Sequence, residues 1–292
     1  MTARREAQRR DFRALIESGE TVVVPGAANS LTARIIADLD YKSVYVTGAG
    51  VANTYLGVPD IGLLTLSQLA DHVSAMSEAV DIPMVVDADT GFGNEVNAWH
   101  TVRILEKAGA SALQIEDQTF PKRCGHFEGK ETISAEEMVS KIGAAIDART
   151  DENLLIVART DARYIEGIDE ACRRASMYRD AGADVTFVEA PQDIDEIERI
   201  AKEVEGPKVL NIVQGGKTPE LSWEHAHDLG FSILLYANLA LLAGVHGIRE
   251  SLTGLKEHRG ADSGAPRATW EQRQALVRKD FFDGLEGRFG RY

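Results

Sequence analysis

The chain is predicted to be an α/β protein, a TIM-type (β/α)8 barrel, on three observations. Eight short apolar runs are spread through its 292 residues. Longer amphipathic stretches of helical period separate them. Polar residues recur where the apolar runs end, the rim at which such barrels gather their chemistry.

The opening stretch, MTARREAQRRDFRALIESGE, is rich in arginine. Phe12, Leu15 and Ile16 give it a partial apolar face. Glu6, Asp11 and Glu17 are acids that an organelle transit peptide avoids. It reads as the first helix of the domain, and no secretory signal is read in it. The apolar runs follow in order: TVVVPGA from Thr21, SVYVTGAG from Ser43, IPMVVDADTG from Ile82, SALQIEDQ from Ser111, LLIVARTDA from Leu154, DVTFVEAP from Asp184, PKVLNIVQGG from Pro207 and SILLYAN from Ser232. Continuous apolarity fits strands covered on both faces, as in a parallel sheet. Helical stretches such as EVNAWHTVRILEKAGA and DEACRRASMYRDAGA each end in Ala-Gly-Ala, where glycine stops the helix. A doubly wound open sheet would carry a glycine-rich phosphate fingerprint after its first strand, and PGAANS lacks that spacing.

Residues 1–257 are assigned to the barrel with its N-terminal helix, and residues 258–292 to a linker and a C-terminal helical segment. Trp270, Leu276, Phe281, Phe282 and Leu285 in that segment require cover, from the chain's own barrel or from a neighbouring subunit. A hydrophobic content of 44% supports a core without a structural metal or disulfide. The net charge of −14 disfavours nucleic acid and anionic membranes as partners. An anionic substrate would have to be met by a few placed cations or a metal. Two cysteines point to a reducing, cytoplasmic setting. Phe231 to Val245, the most apolar stretch, is too short and too polar to span a bilayer.

The predicted strands end in Thr47-Gly48-Ala49-Gly50, Asp87-Ala88-Asp89, Glu116-Asp117, Arg159-Thr160-Asp161, Glu189, Asn211, and Tyr236 followed by Asn238. Unpaired burial of so many polar groups would be costly, so they are expected to meet around a shared ligand or ion. Asp87, Asp89 and Glu116 supply hard oxygen ligands suited to Mg²⁺. Aspartates one residue apart on a strand point the same way and could reach one ion; the alternative is that Asp89 caps the next helix. Arg159 suits a substrate carboxylate, or else pairs structurally with Glu189 or Asp161. Thr47 with the Gly48 and Gly50 backbone forms either an amide cradle for a carboxylate or an ordinary tight turn.

The loop FPKRCGHFEGK, Phe120 to Lys130, holds Cys124 beside Lys122, Arg123 and His126. Basic neighbours favour a thiolate. Zinc binding lacks a second nearby cysteine. A buried structural thiol, a covalent nucleophile, and a general acid or base carried on a closing loop remain open.

Together VYVTGAG, VDADTGFG, QIEDQ, PKRCGH, VARTDA, FVEAP and NIVQGGKTP resemble the isocitrate lyase and phosphoenolpyruvate mutase superfamily, in order and at its spacing. The cysteine loop resembles the lyase branch, which includes methylisocitrate and dimethylmalate lyases. The resemblance implies a Mg²⁺-dependent barrel, with Mn²⁺ able to substitute, that cleaves a 2-hydroxy dicarboxylate to a 2-oxo acid and a monocarboxylate. It implies a homotetramer with the last helix exchanged between partners. By motif, Asp89 would ligate the metal, with Asp87 and Glu116 acting mainly through water. Thr47, Gly48, Ala49 and Arg159 would hold the 2-oxo acid carboxylate. Tyr45 would lie near the breaking bond, and Cys124 would protonate the departing carbanion. Glu189 and Asn211 would line the pocket; Lys122, Gly125 and His126 would belong to the gating loop. Gln114 stands where several methylisocitrate lyases have a histidine, NIVQGGKTP differs from their N-I-T-E-F-G, and Asn238 alters the pocket floor. These departures favour a 2-alkylmalate or 2,3-dialkylmalate over a tricarboxylate. Methylisocitrate cleavage, oxaloacetate hydrolysis or decarboxylation, and phosphonate mutation are the alternatives.

Overall fold

A computed structural model describes residues 2–123, 129–216, 218–258 and 266–290. Eight parallel strands close into a barrel in chain order: β1 (Val22–Ala27), β2 (Val44–Val46), β3 (Met84–Asp87), β4 (Ala112–Glu116), β5 (Leu155–Thr160), β6 (Val185–Val188), β7 (Lys208–Asn211) and β8 (Ile233–Tyr236). Closure comes from β1 pairing with both β2 and β8, Val24 opposite Leu235. All eight apolar runs are strands.

Alternation along each strand sorts the side chains. Val22 and Val24, Tyr45, Val85, Ala112, Leu155 and Val157, Val185 and Phe187, Val209, and Ile233 and Leu235 form one buried cluster inside the barrel. Val44, Val46, Met84, Val86, Leu113, Ile115, Ile156 and Ala158 pack outward against the helices. Because strand side chains repeat with a period of two, the inward series continues into Asp87, Gln114, Glu116, Arg159, Glu189 and Asn211 at the rim.

The helices are α1 (Thr2–Glu17), α2 (Ser30–Asp38), α3 (Gly48–Val51), α4 (Leu66–Ala79), α5 (Glu95–Ala108), α6 (Ala135–Ala148), α7 (Ala162–Glu166), α8 (Ile168–Asp180), α9 (Ile194–Glu203), α10 (Trp223–Asp228), α11 (Leu239–His258), α12 (Trp270–Leu276) and α13 (Lys279–Phe289). A π-turn, Ala52–Leu56, extends α3. Thr65, Asn94, Ser134, Asp193 and Ser222 cap helix starts with their side chains, each typically worth about 1 kcal/mol. Asn94, not Asp89, caps α5. Gly109 stops α5 at φ 120°.

The arginine-rich opening is a helix, as expected. It plugs the bottom of the barrel, with Phe12 and Ile16 fully inside the lumen cluster. Its arginines bind main-chain carbonyls beneath the barrel: Arg4 donates to Ser77, Arg5 to Lys107, Arg9 to Glu106 and Ala110, and Arg13 to Glu152. At the other end of the chain, the single helix expected after Trp270 is two, α12 and α13. Arg278 breaks it in the left-handed conformation, φ 55°. Neither helix has a buried residue. Among the described residues no helix is long and apolar enough to cross a membrane.

Candidate active site

A small rim cavity of about 40 Å³ lies among Tyr45, Thr47, Ala49, Asp60, Asp87, Lys122, Arg159, Phe187, Glu189, Asn211, Val213 and Asn238. The strand ends named from sequence therefore converge. Cys124, Gly125 and His126 lie outside the described residues.

Arg159 sits at the centre of an anionic group. Its Nε and Nη2 donate to Asp161 at 3.0 and 3.1 Å. Glu116 Oε2 lies 3.3 Å from Nη1, Glu189 Oε2 lies 3.6 Å from Nε, and the Phe187 ring centroid is 5.4 Å from the guanidinium. The structural pairing with Asp161 is realised, and it occupies one edge of the fork; the arginine still lines the cavity. Burial opposes its charge, yet these carboxylates hold its pKa well above the usual value. Asp161 also accepts from Lys130 Nζ at 2.7 Å. Burial would raise the Asp161 carboxyl, but Arg159 and Lys130 bring it down to about 2.

Asp87 and Asp89 approach each other differently from the strand argument. β3 ends at Asp87, and Asp89 adopts φ 49°, a left-handed turn that folds its side chain back. The Asp89 N–H donates to Asp87 Oδ1 at 3.2 Å. Both carboxylates border Gly48: a methyl carbon on that glycine would lie 3.1 Å from Asp87 Oδ2 and 3.3 Å from Asp89 Oδ1. A side chain there would press on both carboxylates, so the glycine keeps this cradle open. Burial raises the Asp89 carboxyl to about 7 despite adjacent Lys122, and raises Glu116 well above the carboxylate range despite Arg159.

Do these residues fit a metal? Among the described residues no three His, Cys, Asp or Glu side chains form a complete metal cluster. Mg²⁺ needs none, since it keeps several waters beside one or two carboxylates. Glu116 Oε1 is buried without a hydrogen-bond partner among the described residues. A cation already stands in: Lys122 Nζ lies 2.6 Å from Asp60 and 2.7 Å from Asp89. Burial opposes the lysine's charge, but Asp89, Glu116, Asp87 and Asp60 keep its pKa far above normal. The carboxylate set thus holds a cation, the Lys122 ammonium, between Asp60 and Asp89.

Tyr45 is buried; its OH donates to Gln114 Oε1 at 3.1 Å, and Gln114 Nε2 reaches Asp87 Oδ1 at 3.4 Å. Burial and nearby Asp87 raise the phenol pKa well above its ordinary value. Thr47 Oγ1 accepts from Gly50 N–H at 3.2 Å, so the tight turn is real and opens α3. Asn211 and Asn238 each carry a buried side-chain oxygen without a partner among the described residues.

Asp60 was missed by the strand-end rule. It follows the π-turn rather than β2 itself; the signal available was a carboxylate in the rim sequence GVPDIG. Lys122 was expected in the gating loop, and its ammonium is found paired with Asp60 and Asp89, which its sequence neighbours do not reveal.

The phosphoenolpyruvate phosphomutase family model matches residues 12–256. A 2,3-dimethylmalate lyase of Eubacterium barkeri is 43% identical over 245 residues, 84% of this chain and 85% of that one. A 2-methylisocitrate lyase of Aeropyrum pernix is 45% identical over 225 residues, 77% of this chain and 72% of that one. Oxaloacetate acetylhydrolase bound to 3,3-difluorooxalacetate superposes with a TM-score of 0.92 at 29% identity, covering 98% of both chains. Phosphonopyruvate hydrolase complexed with oxalate and Mg²⁺ superposes with a TM-score of 0.88 at 30% identity, over 97% of this chain and 99% of that chain. With a matching barrel, a matching family model across most of its length and relatives above 40% identity, this chain belongs to the phosphoenolpyruvate mutase/isocitrate lyase superfamily.

Proposed function

We propose that the protein is a Mg²⁺-dependent carbon–carbon lyase acting on a 2-alkylmalate or 2,3-dialkylmalate, with Mn²⁺ able to substitute. The observation that carries this reading is the Asp87–Asp89–Glu116 carboxylate set gathered beside a small rim cavity that Asp87 and Arg159 line, with Glu116 3.3 Å from Arg159. The likeness to 2,3-dimethylmalate lyase, and to a hydrolase solved with Mg²⁺ and oxalate, supports it.

Asp89 would ligate the metal directly, with Asp87 and Glu116 holding its waters. The bound ion would polarise the hydroxyl and carboxylate oxygens of the substrate. Thr47, Gly48, Ala49 and Arg159 orient the carboxylate that ends in the 2-oxo acid. Asp60 and Glu189 are the cavity carboxylates left to accept the hydroxyl proton. Loss of that proton makes C2 a carbonyl as the C2–C3 bond breaks. The electron pair leaves on the other fragment as an enolate-like carboxylate. Tyr45 lies at the cavity wall near that bond, and Asn211 and Asn238 shape the pocket beside it. Cys124, on the loop with Lys122, Gly125 and His126, would deliver the proton to the leaving carbon.

The same reading makes residues 258–292 an arm exchanged within a homotetramer of cytoplasmic subunits. Leu239, Leu242, Val245, Ile248, Leu252 and Leu255 form an exposed apolar stripe along α11. Trp270, Phe281, Phe282 and Phe289 are more than half exposed on the two terminal helices. A contiguous apolar surface of this kind marks an interface.

Oxaloacetate hydrolysis is the second reading, favoured by the superposition on the acetylhydrolase. A product assay separates the two. Purified protein with Mg²⁺ is given 2,3-dimethylmalate, 2-ethylmalate, citramalate, 2-methylisocitrate, oxaloacetate and phosphonopyruvate, with an EDTA control. EDTA-sensitive 2-oxo acid release from an alkylmalate supports the lyase. Consumption of oxaloacetate alone replaces it with the hydrolase where oxalate and acetate appear, and with a decarboxylase where pyruvate does.

A further inference from the structure

The helix α6, bonded to the turn after β3, carries a buried lysine that the proposed chemistry does not use. Lys141 is 2% exposed and sits on the face of α6 otherwise made by Ala135, Met138, Ile142 and Ala145. An amphipathic helix normally fills such positions with apolar side chains. A buried ammonium is costly unless it is bonded, and burial lowers the pKa of this one. Its Nζ donates to the main-chain carbonyl of Thr90 at 3.2 Å.

Thr90 belongs to the turn that aims Asp89. Asp89 at φ 49° and Phe92 at φ 59° are left-handed without being glycine. Such a conformation is disfavoured for residues other than glycine and persists where its surroundings over-determine it. Four successive carbonyls of the turn are held. Ala88 O accepts from Gly91 N–H at 2.9 Å, and Asp89 O from Glu116 N–H at 2.9 Å. Thr90 O accepts from Lys141, and Gly91 O from Thr101 Oγ1 at 3.0 Å. Lys141 is the charged donor of the four, reaching in from a different helix from Thr101.

We infer that Lys141 is a positioning residue: its ammonium, bonded to the Thr90 carbonyl, holds the left-handed turn that directs the Asp89 carboxylate at the metal. The inference rests on the reading of Asp89 as a metal ligand. Groups that orient metal ligands typically set affinity by 10- to 100-fold.

The test is Mn²⁺ titration of the full chain without substrate, with free Mn²⁺ read by electron paramagnetic resonance. Wild type, Asp89→Asn, Lys141→Met and Lys141→Arg are compared, each with its melting temperature. Met keeps the length and apolar body of lysine and removes the donor; Arg keeps a charged donor. Lys141→Met is expected to weaken Mn²⁺ binding about tenfold, with Lys141→Arg closer to wild type. Where Lys141→Met melts too low to titrate, Lys141→Gln, too short to reach Thr90, replaces it with the same expected loss. Unchanged Mn²⁺ affinity in a folded donor-less variant, with only the melting temperature lowered, overturns the positioning role. Equal weakening in Lys141→Arg and Lys141→Met also overturns it, because packing rather than the donor would then be responsible. If wild type takes up no Mn²⁺, or Asp89→Asn binds it like wild type, the metal reading itself fails and takes this inference with it.

Discussion

The two ends of the barrel are both charged, and they use charge in opposite ways. At the bottom, Arg4, Arg5, Arg9 and Arg13 meet Asp81, Glu78, Glu106, Asp151 and Asp184, and fill their remaining reach with main-chain carbonyls. At the rim, Asp60, Asp87, Asp89, Glu116, Asp161 and Glu189 crowd around Lys122, Lys130 and Arg159. Six of the described carboxylates meet three cations there, and burial first, then the neighbouring carboxylates, raise Asp89 and Glu116 despite Lys122 and Arg159. Near-balance at one end, four arginines to five acids, ties α1 to the barrel floor. A surplus of negative charge gathers at the other end, beside the candidate site.

The contrast breaks if rim substitutions cost stability rather than turnover. Cys124→Ser is expected to lower kcat about 10²- to 10⁴-fold while leaving the melting temperature and Mn²⁺ binding unchanged; near-normal turnover would remove the proposed acid. At the other end, Phe12→Ala should cost about 3–5 kcal/mol in denaturant unfolding and leave KM where it was. A large KM change would mean the plug reaches the site. Asp161 tests both roles at once, since it braces Arg159 from full burial. Its folded-state carboxyl lies at about 2, below the ordinary 3.8. A lowered pKa contributes stability that is complete above pH 4 and lost as pH falls toward 2. That contribution is on the order of 2 kcal/mol. The stability gap between wild type and Asp161→Asn should therefore narrow across that window, as read by urea unfolding at successive pH values. The smallest effect concerns the second thiol. Burial pushes Cys172 up to about 11, so iodoacetamide at pH 8 should leave it unmodified in the folded protein. Labelling of Cys172 as fast as in urea would show the shell around α8 to be open.

Much of this was legible in sequence because a barrel turns local pattern into position. Arg159 follows Leu155 and Val157 at a spacing of two, so the same alternation that buries the valine delivers the guanidinium to the rim. Gln114 and Glu116 follow Ala112 in the same way. The misses share a physical cause, which is dependence on distant partners. Asp89 reaches its place through a left-handed turn held by Glu116, Lys141 and Thr101, none of which is its neighbour in sequence. Lys122 is bound by Asp60 and Asp89, from two other loops. The break at Arg278 lies within a stretch whose apolar pattern runs on unbroken into the second helix, so period alone could not place it.

The plug at the bottom also imposes an order in time. The residues of α1 leave the ribosome before any strand of the barrel, yet Arg9 needs Glu106 and Ala110, and Arg13 needs Glu152 and Asp184. The lumen it seals does not exist until β8 pairs with β1. A segment made before the whole barrel is thus among the last able to dock. Such long-range closure slows folding. During that wait the helix is a basic, half-apolar strand of nascent chain, and Phe12 and Ile16 are the surfaces a chaperone would meet.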